Sequence, residues 1–404
     1  GIDTIATEVE ENADGTIASL TLNQTAPAEH PVLRPHRLAV GFYDEDPATG
    51  KIVRTDRFEL DVDGESTVVA AAAGKKRPAF ILVNDDDLTY TKLRFDADSL
   101  SFALANLQRF DDALARAVVW LSLWDMTRDG DLAAEKFIDT TLALLATETE
   151  STTFRYALSC MSTTAWHYTA PDRRADVVKH VAKELWKLVI AAPGGSDQQF
   201  QLVTAYLGYG EEGDAEFAEH AQGLFDGSLI VAGLEIDNNF TWTIINALSS
   251  VKLIDQAGID AQLAKRDTTE NREFALGAHA VRGDAAAKEW AWNEALNNAD
   301  LTNMQLEAVA RGFGATPRPD LAEPYAAKYY DVVDWVWKNK SFHMAEALLE
   351  GLYPYYADPA TLVELGHRWL ADHEDADNAL KRIVRGNVES SQRTLKVRDF
   401  NAAL

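Results

Sequence analysis

The chain has 404 residues, of which 47 % are hydrophobic and 25 % charged, with a net charge of −26 and one cysteine. That length exceeds what one hydrophobic core organises, so several domains or one elongated repeat array are expected. An acidic surface repels phosphate backbones, and no apolar run reaches the roughly 18 residues needed to cross a bilayer, so neither nucleic acid nor a membrane is expected as a partner.

A lone cysteine, Cys160, forms no internal disulfide, which points to a reducing, cytoplasmic compartment. The opening residues Gly1-Ile2-Asp3-Thr4 have neither a basic nor an apolar leader pattern, so no secretory signal is expected. The missing initiator Met fits a piece of a longer protein, with a processed start as the alternative.

The first 97 residues read as strands. Residues 17–22 and 38–43 are short β-rich runs, and residues 52–62 alternate as a half-buried strand does. Asp14-Gly15, residues 47–50 and Asp63-Gly64 supply the turns. Residues 80–83 are wholly apolar and 90–95 alternate again. These elements predict a small antiparallel β-sandwich over 1–97.

From Asp98 the apolar residues recur at three and four, the helical period. Leu114, Ala117, Val118, Leu121 and Trp124 form one face of a predicted helix begun by Asp111-Asp112. Asp129-Gly130-Asp131 breaks it, with Asp131 as cap of a helix running over 132–147. Pro171 is read as a first-turn proline opening another helix, which Pro193-Gly194-Gly195 closes. Further Gly, Pro and Asn/Asp breaks divide 98–404 into some fifteen helices. Short connections make consecutive helices antiparallel neighbours, and a series of such hairpins stacks as an irregular superhelix. The predicted class is an α+β multidomain protein: the sandwich (1–97) followed by a large all-α, HEAT-like superhelical domain (98–404).

No hydrolytic constellation appears. None of the nine histidines forms His-Glu-x-x-His, and His367 and His373 lie six apart, on different faces of a helix. The acidic run 373–377 reads as an interhelix turn whose Asp caps the next helix. Residues 125–131 lack the ligand spacing of a calcium loop and read as a helix stop. The acids of 84–87, after a buried strand, read as a solvated turn. Cys160 lies in an apolar helical stretch and reads as a structural thiol. Nucleophile-elbow and phosphate-loop motifs are missing, and Gly74-Lys75-Lys76-Arg77 is a basic loop without aromatics. The ten tryptophans are read as core, although 166–168 and 290–292 cannot place every ring on one helix face, so some rings can line a groove. No catalytic or metal-ligating residue is predicted, and substrate-binding residues stay unassigned.

Several segments carry a family resemblance. Gly1-Ile2-Asp3-Thr4-Ile5, residues 29–38 (EHPVLRPHRL), residues 83–96 (VNDDDLTYTKLRFD) and residues 109–132 resemble aminopeptidase N-type zinc metalloaminopeptidases, in particular their actinobacterial-like members. Residues 83–96 are similar to that family's Asn-x-x-x-x-Gly-Tyr-Tyr-Arg-Val-x-Tyr-Asp segment, departing from it at 88–92. The resemblance implies a C-terminal region whose parent removes N-terminal residues from peptides with one zinc ion. The zinc helix, the distal Glu, the Gly-x-Met-Glu-Asn motif and the catalytic Tyr lie upstream in that family. Met126, Met161, Met304 and Met344 all lack the motif's context, so no catalytic residue carries over. The implied cofactor is therefore zinc in the parent's catalytic domain and none in this chain, which is expected to be inactive alone. The implied partners are the N-terminal catalytic domain and peptide substrates, with the helical domain enclosing the active-site cavity and gating access. The alternative is a free-standing α-solenoid scaffold binding a peptide or protein.

Overall fold

A computed structural model describes residues 2–404. Seven strands come first: β1 Thr4–Glu11, β2 Ile17–Thr25, β3 His36–Glu45, β4 Ile52–Val62, β5 Ser66–Val68, β6 Phe80–Val83 and β7 Lys92–Arg94. They form a four-stranded sheet in the order β5-β2-β1-β7 and a three-stranded sheet in the order β4-β3-β6. Alternating residues such as Leu20 and Leu22 point into the core, as a two-faced sheet requires. The sandwich is not wholly antiparallel, because β7 pairs with β1 in parallel. β6 and β7 lie in different sheets, so the chain crosses between layers over 84–91 and cannot return as a hairpin.

That crossing corrects the reading of the acidic run as a solvated turn. Asn84, Asp86 and Asp87 take left-handed backbone angles (φ 58°, 67° and 53°), which Asn and Asp tolerate best after glycine. Asp85 is only 1 % exposed. The Tyr43 hydroxyl donates to its Oδ1 at 2.6 Å and Arg54 donates to its Oδ2 at 2.7 Å. Arg54 and Arg57 also neutralise Asp86. Only glycine fits opposite, since a Cβ on Gly41 would sit 2.5 Å from Asp85 Oδ2.

The chain divides into two compact units, residues 1–165 with 403–404, and residues 166–402. The first adds four helices to the sandwich: α1 Ala97–Asn106, α2 Ala113–Asp129, α3 Ala134–Leu145 and α4 Ser151–Thr163. Asp112 caps α2, accepting from Ala115 N, and Gly130 ends it in the left-handed conformation. Two expectations fail here. The buried side of α2 is wider than the predicted stripe: Leu114 and Leu121 are exposed, while Val119, Trp120, Leu123 and Met126 are buried. A helix packed on more than one side has no single apolar face to read. Asp131 does not cap α3 either, because its carboxylate accepts from Arg94 Nε at 2.8 Å while Asp129 takes Lys92 and Arg94, pinning the helix stop to β7. Cys160 is buried in α4, as read, and burial pushes its thiol up to about 12.

The second unit contains α5 Arg174–Ala191, α6 Asp197–Leu207, α7 Ala215–Asp226, α8 Asn238–Ser250, α9 Gln256–Lys265, α10 Thr269–Ala280, α11 Ala285–Asn297, α12 Asn303–Gly314, α13 Pro319–Ala322, α14 Ala326–Asn339, α15 Phe342–Gly351, α16 Pro359–Asp372 and α17 Asn378–Ala402. Pro171 does not open α5. A π-helical turn over residues 164–168 and a turn over 171–173 precede it, so the helix starts at Arg174. Asp237 and Asp358 cap α8 and α16, and Thr302 with Gln305 forms a capping box on α12. α10 packs between α8 and α12, and α12 between α10 and α15. Gly312 makes the α10–α12 approach feasible: a Cβ there would lie 2.6 Å from Gly277 O and 2.8 Å from Ala280 Cβ. A cluster including Trp292, Tyr329, Val333, Leu348 and Val384 forms the core of α11 to α17. No helix among the described residues is long and apolar enough to cross a membrane.

Candidate functional site

Several inter-helix loops of the second unit are fastened to one another. Glu212, in the loop after α6, accepts from Lys252 at 3.0 Å and from Arg318 at 2.7 Å. Lys252 follows α8 and Arg318 follows α12, so three loops join at one carboxylate. Below them Lys288 of α11 is only 2 % exposed. Its Nζ donates to Ala280 O at 2.7 Å, to Gly312 O and Phe313 O at 3.2 Å each, and to Thr316 Oγ1. The carbonyls are the otherwise orphaned ends of α10 and α12, so a helix-terminal need is met by a buried ammonium. Burial pushes the Lys288 amine down to about 7, against a smaller opposing pull from Asp284.

The loop after α15 carries Pro354-Tyr355-Tyr356. Together with Phe313, Thr316 and Arg318, these three line a crevice above Lys288. Tyr355 is anchored, its hydroxyl donating to Asn387 Oδ1 at 3.0 Å. Tyr356 stacks on His167 with ring centroids 4.7 Å apart, and its hydroxyl has no hydrogen-bond partner among the described residues. His167 belongs to the π-helical turn, so the start of this unit meets its last third. Burial, then the charges of Arg398 and Arg174, push the imidazole down to about 3, so it is neutral near pH 7.

Two arginines act on that imidazole through their charge. Arg398 of α17 is 9 % exposed, and its Nε donates to His167 O at 2.7 Å. Burial and the charge of Arg174 bring Arg398 down to about 10, still a cation at neutral pH, with Asp358 opposing the shift. Arg174 is the first residue of α5, and its Nε is buried without a hydrogen-bond partner. No side-chain hydrogen bond or ion pair forms at Arg174 among the described residues. Burial lowers it, while Tyr356 and Glu211 pull the other way. Glu211 is itself pushed up, by burial and then by Asp214.

The residues singled out in the sequence fall elsewhere or serve packing. His367 contacts Gln392, and His373 stacks on Trp369 and pairs with Asp334 at 2.9 Å. Asp377 caps α17 by accepting from Ala379 N at 2.7 Å, as read. Trp166 and Trp292 are buried, and Trp290 stacks on His279 at 3.8 Å. Of the 166–168 triplet, Trp166 and Tyr168 are buried and the His167 ring stacks on Tyr356. Arg174, Arg398 and Tyr356 escaped sequence reasoning. One signal was legible: Arg173-Arg174 opens a helix where the dipole favours acids, so two cations there run against the local preference. No group of three or more His, Cys, Asp or Glu suited to a metal ion occurs among the described residues.

The comparisons with known proteins agree with this architecture. The sequence model of the ERAP1-like C-terminal domain family matches residues 80–393. The chain is also 34 % identical, over 409 aligned residues, to the aminopeptidase N of Streptomyces lividans. That alignment covers 100 % of this chain and 47 % of the relative, so the chain spans about half the length of the curated relative it matches. With the family match running from the last sandwich strands into α17, the chain belongs to the ERAP1-like C-terminal domain family.

Proposed function

We propose that this chain is the non-catalytic C-terminal part of a zinc aminopeptidase, acting in the cytoplasm, that removes N-terminal residues from peptides. In this reading the zinc and all bond-breaking groups reside in an N-terminal catalytic domain that partners this chain. The helical part (98–404), following the sandwich (1–97), encloses the peptide cavity, gates entry and stabilises the closed enzyme. The observation that carries the reading is whole-chain similarity to an aminopeptidase N together with the C-terminal-domain family match.

The test is hydrolysis of an aminoacyl anilide by the isolated 404-residue chain, with and without zinc, and after rejoining to the catalytic half. The expected result is no turnover alone and zinc-dependent turnover once rejoined. Zinc-dependent turnover by the chain alone would overturn the proposal.

A further inference from the structure

Two loops meet at one end of the sandwich, residues 26–35 between β2 and β3 and residues 84–91 between β6 and β7. β1 and β7 both start at this end, since they pair in parallel from Thr4 and Lys92. Asp3, 1 % exposed, fastens the loops to the start of β1. Its carboxylate accepts from Gln24 Nε2 and Arg34 N at 2.9 Å each and from Arg34 Nη1 at 2.8 Å. Its carbonyl accepts from Thr91 Oγ1 and Lys92 N at 2.9 Å each. His36 and Thr89 then tie the end of one loop to the other, Nδ1 to Oγ1 at 2.7 Å. Asn84 and Thr89 exchange two further hydrogen bonds inside the crossing, at 2.8 and 3.0 Å. Pro27, Pro31 and Pro35 restrict the backbone of the other loop. On this rigid base three large apolar side chains stand in solvent: Val32 is 62 % exposed, Leu88 47 % and Tyr90 81 %. Single apolar residues are ordinary on a surface, but three carried by two fastened loops form a patch of the kind that marks an interface.

We propose that Val32, Leu88 and Tyr90, on loops 26–35 and 84–91, seat the catalytic half that the proposed function sets before this chain. The identity of the partner rests on that reading. In it the polypeptide arrives through Ile2 and Asp3, at the same end of the sandwich, so the preceding half starts beside the patch. The relative that the chain matches is about twice as long, the chain covering 47 % of it, which leaves a body of similar size to cover the patch. A second copy is the poorer occupant, because two chains of net charge −26 repel each other. The loops are held before docking, so little backbone freedom is lost on contact. Tyr90 brings a large ring together with a hydroxyl, and the Arg34 side chain, bonded to Asp3, is still 54 % exposed. The surface they fit is therefore apolar, with carbonyl or carboxylate acceptors at its rim.

The test is nitration of Tyr90 by tetranitromethane, read by mass spectrometry, in the 404-residue chain alone and in the same chain joined to its preceding half. Reaction of a covered ring waits on local opening, so Tyr90 is expected to react at least about tenfold more slowly in the joined protein. Equal rates would overturn the surface. Slowing in the chain alone as its concentration rises would make a second copy the occupant and overturn the proposal as well. Val32→Ser, Leu88→Ser and Tyr90→Ser combined give a second measurement. Because these side chains are exposed, the triple variant is expected to keep the urea midpoint of the 404-residue chain and to lower that of the joined protein. An equal fall in both would make the three residues part of the sandwich's own packing and overturn the surface. Zinc-dependent hydrolysis by a joined protein whose Tyr90 stays reactive would fault the surface alone. A joined protein that covers Tyr90 but hydrolyses nothing would fault the aminopeptidase reading and leave the surface standing.

Discussion

Lys288 makes stability depend on pH in a direction that can be worked out beforehand. In the unfolded chain a lysine titrates near 10.4, whereas burial in the folded unit brings this amine down to about 7. A folded-state value below the unfolded one means that the unfolded chain holds the extra proton between those limits. The penalty of the buried ammonium is therefore fully present below pH 7 and is relieved as pH rises towards 10.4. Each pH unit in that window contributes about 1.4 kcal/mol, so raising pH from 7 to 9 should stabilise the unit by about 3 kcal/mol. Solvent screening does not shrink the figure much, because the side chain is only 2 % exposed. Opposing it are the backbone carbonyls of Ala280, Gly312 and Phe313, which favour the charged form. Urea unfolding followed by tryptophan fluorescence, at pH 6.5 and 9, on the native chain and on Lys288→Met, decides between them. Every other titrating group is common to both chains, so only the change in their stability difference counts. The native chain is expected to gain about 3 kcal/mol over the variant. Equal responses to pH would show that the amine stays protonated in the fold and that its acceptors offset desolvation.

Three further outcomes are expected. Gly312→Ala places a Cβ 2.6 Å from Gly277 O, where only backbone can give way, so thermal unfolding should show a loss of about 1–3 kcal/mol. Tyr43→Phe removes the 2.6 Å hydrogen bond to buried Asp85 and leaves Arg54 on the other oxygen, which should cost about 2 kcal/mol in urea unfolding. Cys160, 3 % exposed with its thiol pushed up to about 12, should resist a thiol reagent at pH 8 until urea is added.

Local physics made much of the fold legible in the sequence. The alternation of 52–62 matches β4 Ile52–Val62, and Asp112, Gly130 and Asp377 act at helix ends as their side chains and backbone freedom dictate. Failures arose where long-range contact decides. α2 is buried on several sides, so its stripe misled. Asp131 was claimed by Arg94 before it could cap, and Asp85 was drawn inside by Tyr43 and Arg54. The contacts of His167 were illegible for the same reason: His167 opens the second unit, Tyr356 and Arg398 sit near its end, and no local pattern joins them.

Amide hydrogen exchange of the 404-residue chain, with and without saturating tetra-alanine, tests most directly whether the helical part holds a peptide. Slowed exchange is expected within residues 98–404, with little change across the β-sandwich. Protection confined to the sandwich, or none anywhere at saturation, would contradict the account.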